Sequence, residues 1–162
     1  MRNVLYRLLP YVAVVVAGCA AGPASPPEPH VRIPAGERLS VTLSVEDREY
    51  VLNEMRFFLD LVYVATEAVS RGDMATVSAA ARRRGTAGPA RVPPGLYDSM
   101  PEGFRNGIRE TREKIDRIAV EAEGAGGSQP VLRRVSQLLY LCNACHGAYQ
   151  LRTSPAAAKP KT

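Results

Sequence analysis

The stretch SQPVLRRVSQLLYLCNACHGAYQ, residues 128–150, carries the reading on which the fold depends. Val131, Val135, Leu138, Leu139, Cys142, Cys145, His146 and Tyr149 fall on one side when the segment is wound at 3.6 residues per turn. Ser128 and Pro130 open this helix after the turn GAGGS, residues 124–128. Two cysteines and a histidine therefore sit deep inside a helix. A thioredoxin-type dithiol needs its first cysteine at a helix N-terminus following a strand, where the dipole lowers the thiol pKa. A structural zinc site needs four ligands, and beyond Cys142, Cys145 and His146 only the distant His30 remains once Cys19 is set apart below. Both readings lack parts.

Cys-x-x-Cys-His is the attachment signature of c-type haem. Positions i, i+3 and i+4 of a helix share a face. Cys142 and Cys145 can then bind one haem c through two thioethers, with the imidazole of His146 turned to the iron. The composition agrees. The chain is 46% apolar and 23% charged, yet contains no tryptophan and three phenylalanines. Its core is built from small aliphatic groups, or from a large apolar group that it imports.

Three further amphipathic helices lie upstream. Ser44 opens the first, with Asp47 as capping-box partner. Leu52, Met55, Leu59, Val62, Thr66 and Val69 follow as its stripe. Gly72 ends it, and Asp73 caps a short Ala-rich helix over about 74–84. Residues 85–98 form a Pro/Gly loop. Ser99, Pro101 and Glu102 start the third helix, whose stripe is Phe104, Ile108, Thr111, Ile115, Ile118 and Ala122. Gly107 interrupts it and permits close approach of a neighbour. Four such helices with mostly short connections predict an all-α fold, an antiparallel four-helix bundle enclosing the covalently attached haem.

The N-terminal region reads differently. Arg2 and Arg7 precede LLPYVAVVVAG, residues 8–18, an apolar run too short for a comfortable membrane span. VAGC, residues 16–19, resembles the lipobox of bacterial lipoproteins, which implies cleavage before Cys19 and lipidation of its thiol. Loss of residues 1–18 removes two arginines and no acid, so the net charge of +5 falls to +3. No Lys/Arg stripe interleaved with aromatics occurs, which argues against nucleic acid, and Arg82–Arg84 reads as a solvated helix end. Residues 19–36 are a Pro-rich tether in which His30 is solvated. LSVTLSV, residues 39–45, alternates at period two like a strand but finds no partner, and is expected as an extended lead-in on the bundle. The expected organisation is a signal peptide (1–18), a lipid-anchored tether and lead-in (19–44), a four-helix domain (45–152) and a disordered tail (153–162).

A haem motif in the last helix of such a bundle resembles the cytochrome c′ family and its low-spin, methionine-ligated relatives. Mitochondrial-type cytochromes c carry the motif near the N-terminus and fit poorly. The likeness is strongest at CNACHGAYQLR, residues 142–152, where the family often shows C-x-A-C-H-x-x-Y-R. Cys142, Ala144, Cys145, His146 and Tyr149 match; Gln150 stands where a basic residue is common, and Arg152 substitutes only loosely. MPEGFR, residues 100–105, also resembles this group. The resemblance implies a distal residue from the first helix, and Met55 falls near that position, flanked by Leu52 and Leu59, with Phe58 against a haem edge. Met74 and Met100 lie toward the bundle ends. Met55 as a second axial ligand implies a membrane-anchored electron carrier that meets redox partner proteins transiently. Met55 as a packing residue implies the alternative, a five-coordinate NO/CO-binding protein. A catalytic haem would call for a distal His, Arg or Lys, and the only other histidine is His30, so an enzyme is not expected. Relatives often pair through their first two helices, which allows a homodimer. The export signal places the chain in the periplasm, lipid-anchored to a bacterial membrane. Ala20 in place of aspartate after Cys19 points to the outer one.

Overall fold

The computed structural model describes residues 35–88 and 91–154. The expected signal peptide, Cys19, His30 and the tail beyond residue 154 lie outside the described residues. Among the described residues the chain forms four α-helices and one two-stranded sheet: β1 (Leu39–Leu43), α1 (Val45–Ser70), α2 (Met74–Arg82), α3 (Glu102–Glu123), α4 (Ser128–Ala148) and β2 (Tyr149–Thr153). None of these helices is long and apolar enough to cross a membrane.

Local chemistry sets most helix ends. Ser44 caps α1: its hydroxyl oxygen accepts from Asp47 N at 3.0 Å and its O–H donates to the Asp47 carboxylate at 2.8 Å. At the other end Gly72 takes φ +71°, Gly72 N–H bonds Val69 O, and Asp73 N–H bonds Ala68 O. This is a Schellman closure, which a side-chain-free residue accommodates without strain. Asp73 then caps α2 through Thr76 N at 3.0 Å. The start of α3 departs from expectation. Pro101 occupies the cap position without a side-chain bond, and the Ser99 hydroxyl closes the preceding turn by donating to Leu96 O at 2.7 Å.

The lead-in does have a partner. β1 pairs in parallel with β2, in the register Leu39↔Tyr149 to Leu43↔Thr153, and Ser154 N–H extends the ladder to Leu43 O at 2.8 Å. The folded unit thus begins before residue 45, and Thr153 and Ser154 belong to it rather than to a tail. Tyr149 is not on the helix: α4 stops at Ala148, and Tyr149 is extended at φ −122°, ψ 154°. The alternation that marked β1 also runs through Tyr149 and Leu151, which pack on the apolar cluster beneath the sheet with Val41, Leu43 and Phe104.

A larger core joins all four helices through Phe58, Leu61, Val77, Ile118, Val135 and Leu138. α3 packs on α2 and α4, whereas α1 packs on α2 and more sparsely on α4. The face of α1 that enters this core is one residue out of step with the expected stripe. Val51, Glu54, Phe58, Leu61, Ala65 and Ala68 are buried, while of the expected stripe Val69 is buried, Met55 and Val62 pack at the margin of the core, Leu52 is only half-buried and Leu59 is 68% exposed. α1 has two adjacent apolar faces. The one made of larger aliphatics caught the periodicity, but the core took the one with small alanines, which let helices approach closely.

Burial of Glu54 on that face has a specific cause. Its carboxylate forms an ion pair with Arg112 of α3, and the two residues are 9% and 7% exposed. Arg112 Nη1 also donates to Arg84 O at 3.3 Å and Gly85 O at 3.2 Å, so the guanidinium ties α1, α3 and the end of the α2 segment together. Buried charges persist only when paired and hydrogen-bonded in this way.

Candidate functional site

The uncommitted face of α1 looks across a groove at α4. Leu52, Met55, Leu59 and Val62 form one wall, Gly107, Ile108 and Thr111 of α3 another, and Leu139, Cys142, Cys145 and His146 of α4 the third. The groove holds about 320 Å³ and its surface is almost wholly apolar. Aliphatic side chains stand open to it, Leu59 at 68% and Leu139 at 41% exposure. In a chain of this size such a lining marks a place for an apolar ligand.

Helical spacing puts Cys142, Cys145 and His146 together here, as the motif predicts. The two cysteines are not disulfide-linked. Burial pushes both thiols above the ordinary cysteine value, and the neighbouring Cys142 adds to the rise at Cys145. A redox dithiol needs the opposite shift. Among the described residues no group of three or more His, Cys, Asp and Glu side chains is placed to hold a metal ion, so a protein-only zinc cage is not formed there. The donor set suits a ligand that brings its own metal and takes two thioether links.

Met55 is half-buried and lines the same groove as His146, touching both apolar clusters. Phe58 forms part of the groove floor while remaining in the main core. Met100 is buried beneath the sheet and Met74 packs on the main core, so neither lines the groove. Arg56 reaches the rim, where its Nη1 donates to Asn53 Oδ1 at 2.6 Å. The only hydroxyl in the lining, that of Thr111, donates to Gly107 O at 2.8 Å. Gly107 keeps the α3 wall open: a Cβ there would stand 4.0 Å from Cys145 Sγ.

A second chamber, about 350 Å³, adjoins the first and shares Leu52, Met55, Cys145 and His146 with it. Its character is different, because Arg38, Arg48 and Arg152 all line it. Arg38 was missed by sequence reasoning. It lies 108 positions from His146, yet its Nη1 donates to His146 O at 3.1 Å and to Tyr149 O at 3.5 Å. Gln150 Nε2 in turn donates to Arg38 O at 2.8 Å. Gln150, whose amide looked like a loss of positive charge, holds an arginine from β1's leading edge against the end of α4. Such a cation also complements the negative end of the helix dipole. Tyr149 borders this chamber, edge-on to Phe104 with ring centroids 5.3 Å apart. In comparisons with protein-family models, characterised proteins and solved structures, none matches this chain.

Proposed function

We propose that this chain is a c-type cytochrome, an antiparallel four-helix bundle that carries electrons through one covalently attached haem. The observation that carries the reading is the convergence of Cys142, Cys145, His146 and Met55 on a single apolar groove. When bound, the haem supplies a one-electron iron couple. The residues of the chain do the rest. The Cys142 and Cys145 sulfurs would hold the group by thioether links, and the His146 imidazole and the Met55 thioether would be its iron ligands from the protein. Leu52, Leu59, Val62 and Ile108 would shield the bound group from water. A thioether together with an imidazole would favour the reduced state relative to two nitrogen ligands, and keeping both side chains in place would limit rearrangement on transfer.

The lipidated Cys19 and the tether complete the proposal: a periplasmic carrier, confined to a membrane surface, meeting redox proteins transiently and free to pair as a homodimer. The outer membrane is the proposed anchor site. The alternative, a five-coordinate NO/CO-binding module, is favoured by one observation: the Thr111 hydroxyl is already engaged, and apolar side chains dominate the groove.

Absorption spectroscopy of the purified, matured protein tests the choice. The carrier reading expects a low-spin spectrum that Met55→Ala converts to high-spin. A high-spin spectrum indifferent to Met55→Ala eliminates the carrier and supports gas binding. Mass spectrometry must also find one haem on the peptide containing Cys142 and Cys145, and a mature chain starting at Cys19.

A further inference from the structure

The chamber beside the groove contains a chemical imbalance. Arg38, Arg48 and Arg152 line it, and its lining contains no aspartate or glutamate. Arg48 makes only a long contact with Glu49, 3.4 Å between exposed side chains, and surface pairs of this kind add little. Arg38 is more telling. Its Nη1 serves the carbonyls of His146 and Tyr149, but its Nε, like that of the core residue Arg112, is shielded from solvent and has no acceptor. A buried charged donor left unpaired is destabilising, and most such groups in folded proteins find a partner. At the chamber wall the Arg38 Nε–H is open to an oxygen acceptor, and the three guanidinium groups there favour one that carries negative charge.

Position explains which one. The cationic chamber borders the apolar groove along Leu52, Met55, Cys145 and His146. A ligand occupying both would have an apolar body and an anionic edge. Haem has that form: a flat, largely apolar tetrapyrrole macrocycle with two carboxylate arms on one side. The strand pairing and the Gln150 bond fix Arg38 at the junction. We propose that Arg38, Arg48 and Arg152 form the subsite that receives the haem carboxylates, with guanidinium forks suited to bidentate carboxylate contact. The proposal rests on the c-type cytochrome reading. It adds to that reading a role for β1's leading edge, which closes the carboxylate end of the site from a segment remote in sequence.

Resonance Raman spectroscopy of the full, haem-loaded protein tests it, because the low-frequency propionate bending band reports hydrogen bonding to the carboxylates. Arg38→Gln, Arg48→Gln and Arg152→Gln are each expected to shift this band to lower frequency. Arg38→Lys, which keeps the charge, should restore part of the shift. Arg83→Gln, on the exposed end of α2, should leave the band where it is. Should Arg38→Gln fail to mature, the two more peripheral variants still decide the matter. A band unmoved in every haem-loaded Arg→Gln variant overturns the subsite while leaving the cytochrome reading intact. Broadening of the phosphorus resonance of added inorganic phosphate that is lost in Arg38→Gln also overturns it, since the chamber would then serve a free anion. A colourless wild-type protein removes both proposals together.

Discussion

Replacing Glu54 with glutamine keeps the shape of the side chain and removes its charge. Arg112 is then left in the interior, 7% exposed, without a counter-charge. Breaking one side of a buried pair costs about 3–5 kcal/mol. The Arg84 and Gly85 carbonyls, at 3.3 and 3.2 Å, still accept from the same guanidinium nitrogen, which favours the lower end of that range. About 3 kcal/mol is therefore expected, equivalent to a fall in Tm of roughly 12 °C for a domain of this size. Replacing both partners together, as Glu54→Leu with Arg112→Met, removes the uncompensated charge and should return stability to within about 2 kcal/mol of the parent. Urea unfolding followed by circular dichroism, run as a double-mutant cycle over Glu54→Leu, Arg112→Met and the two combined, measures the coupling directly. A loss below about 1 kcal/mol for Glu54→Gln, or strictly additive losses in the double variant, refutes the argument that this pair pins α1 to α3. Glu54 immediately precedes Met55, so the single variant should also loosen the groove wall and, on the cytochrome proposal, lower the low-spin fraction of the haem-loaded protein.

Other outcomes follow from the same geometry. Gly107→Val should place methyl groups in the groove beside Cys145 and, on the cytochrome proposal, sharply reduce haem attachment, read by mass spectrometry, whereas Gly107→Ala should be tolerated and stabilise α3 by up to about 1 kcal/mol through helix propensity. The Glu123 carboxyl is held down to about 2 by Arg82 and Ser78 against an ordinary 4.5. Its stabilising contribution is complete above the unfolded value and disappears as pH falls through the folded one, so the Tm gap between the parent and Glu123→Gln should narrow from pH 5 to pH 2. In haem-free protein, burial raises both thiols, so iodoacetamide should alkylate Cys142 and Cys145 at pH 8 more slowly than an exposed cysteine; faster alkylation would contradict the buried-thiol account.

Much of the architecture was legible from short-range signals. Ser44 with Asp47, and Gly72 with Asp73, mark helix ends because a cap is made by residues within three or four positions of one another. The spacing of Cys142, Cys145 and His146 likewise put all three on one helical face, since that is a property of the helix alone. Periodicity did find the aliphatic face of α1, but it could not say whether that face met the core or the groove. Both faces are apolar, and the choice depended on the alanines and on a carboxylate that becomes acceptable inside only beside Arg112.

The tertiary structure alone decided the rest. Nothing near Leu39–Leu43 announces Tyr149–Thr153, because a parallel pair joined through four helices is specified by where those helices deliver its strands. Arg38 reaches His146 for the same reason, and only that delivery turns an unremarkable basic residue into a donor to the end of α4. The sequence by itself determined where the helices run and which residues share a turn, through bonds that close within a few positions. Which faces became interior depended on contacts between helices, such as Glu54 with Arg112, 58 positions apart, and Arg38 came to stand beside His146 through contacts between segments more than a hundred residues apart.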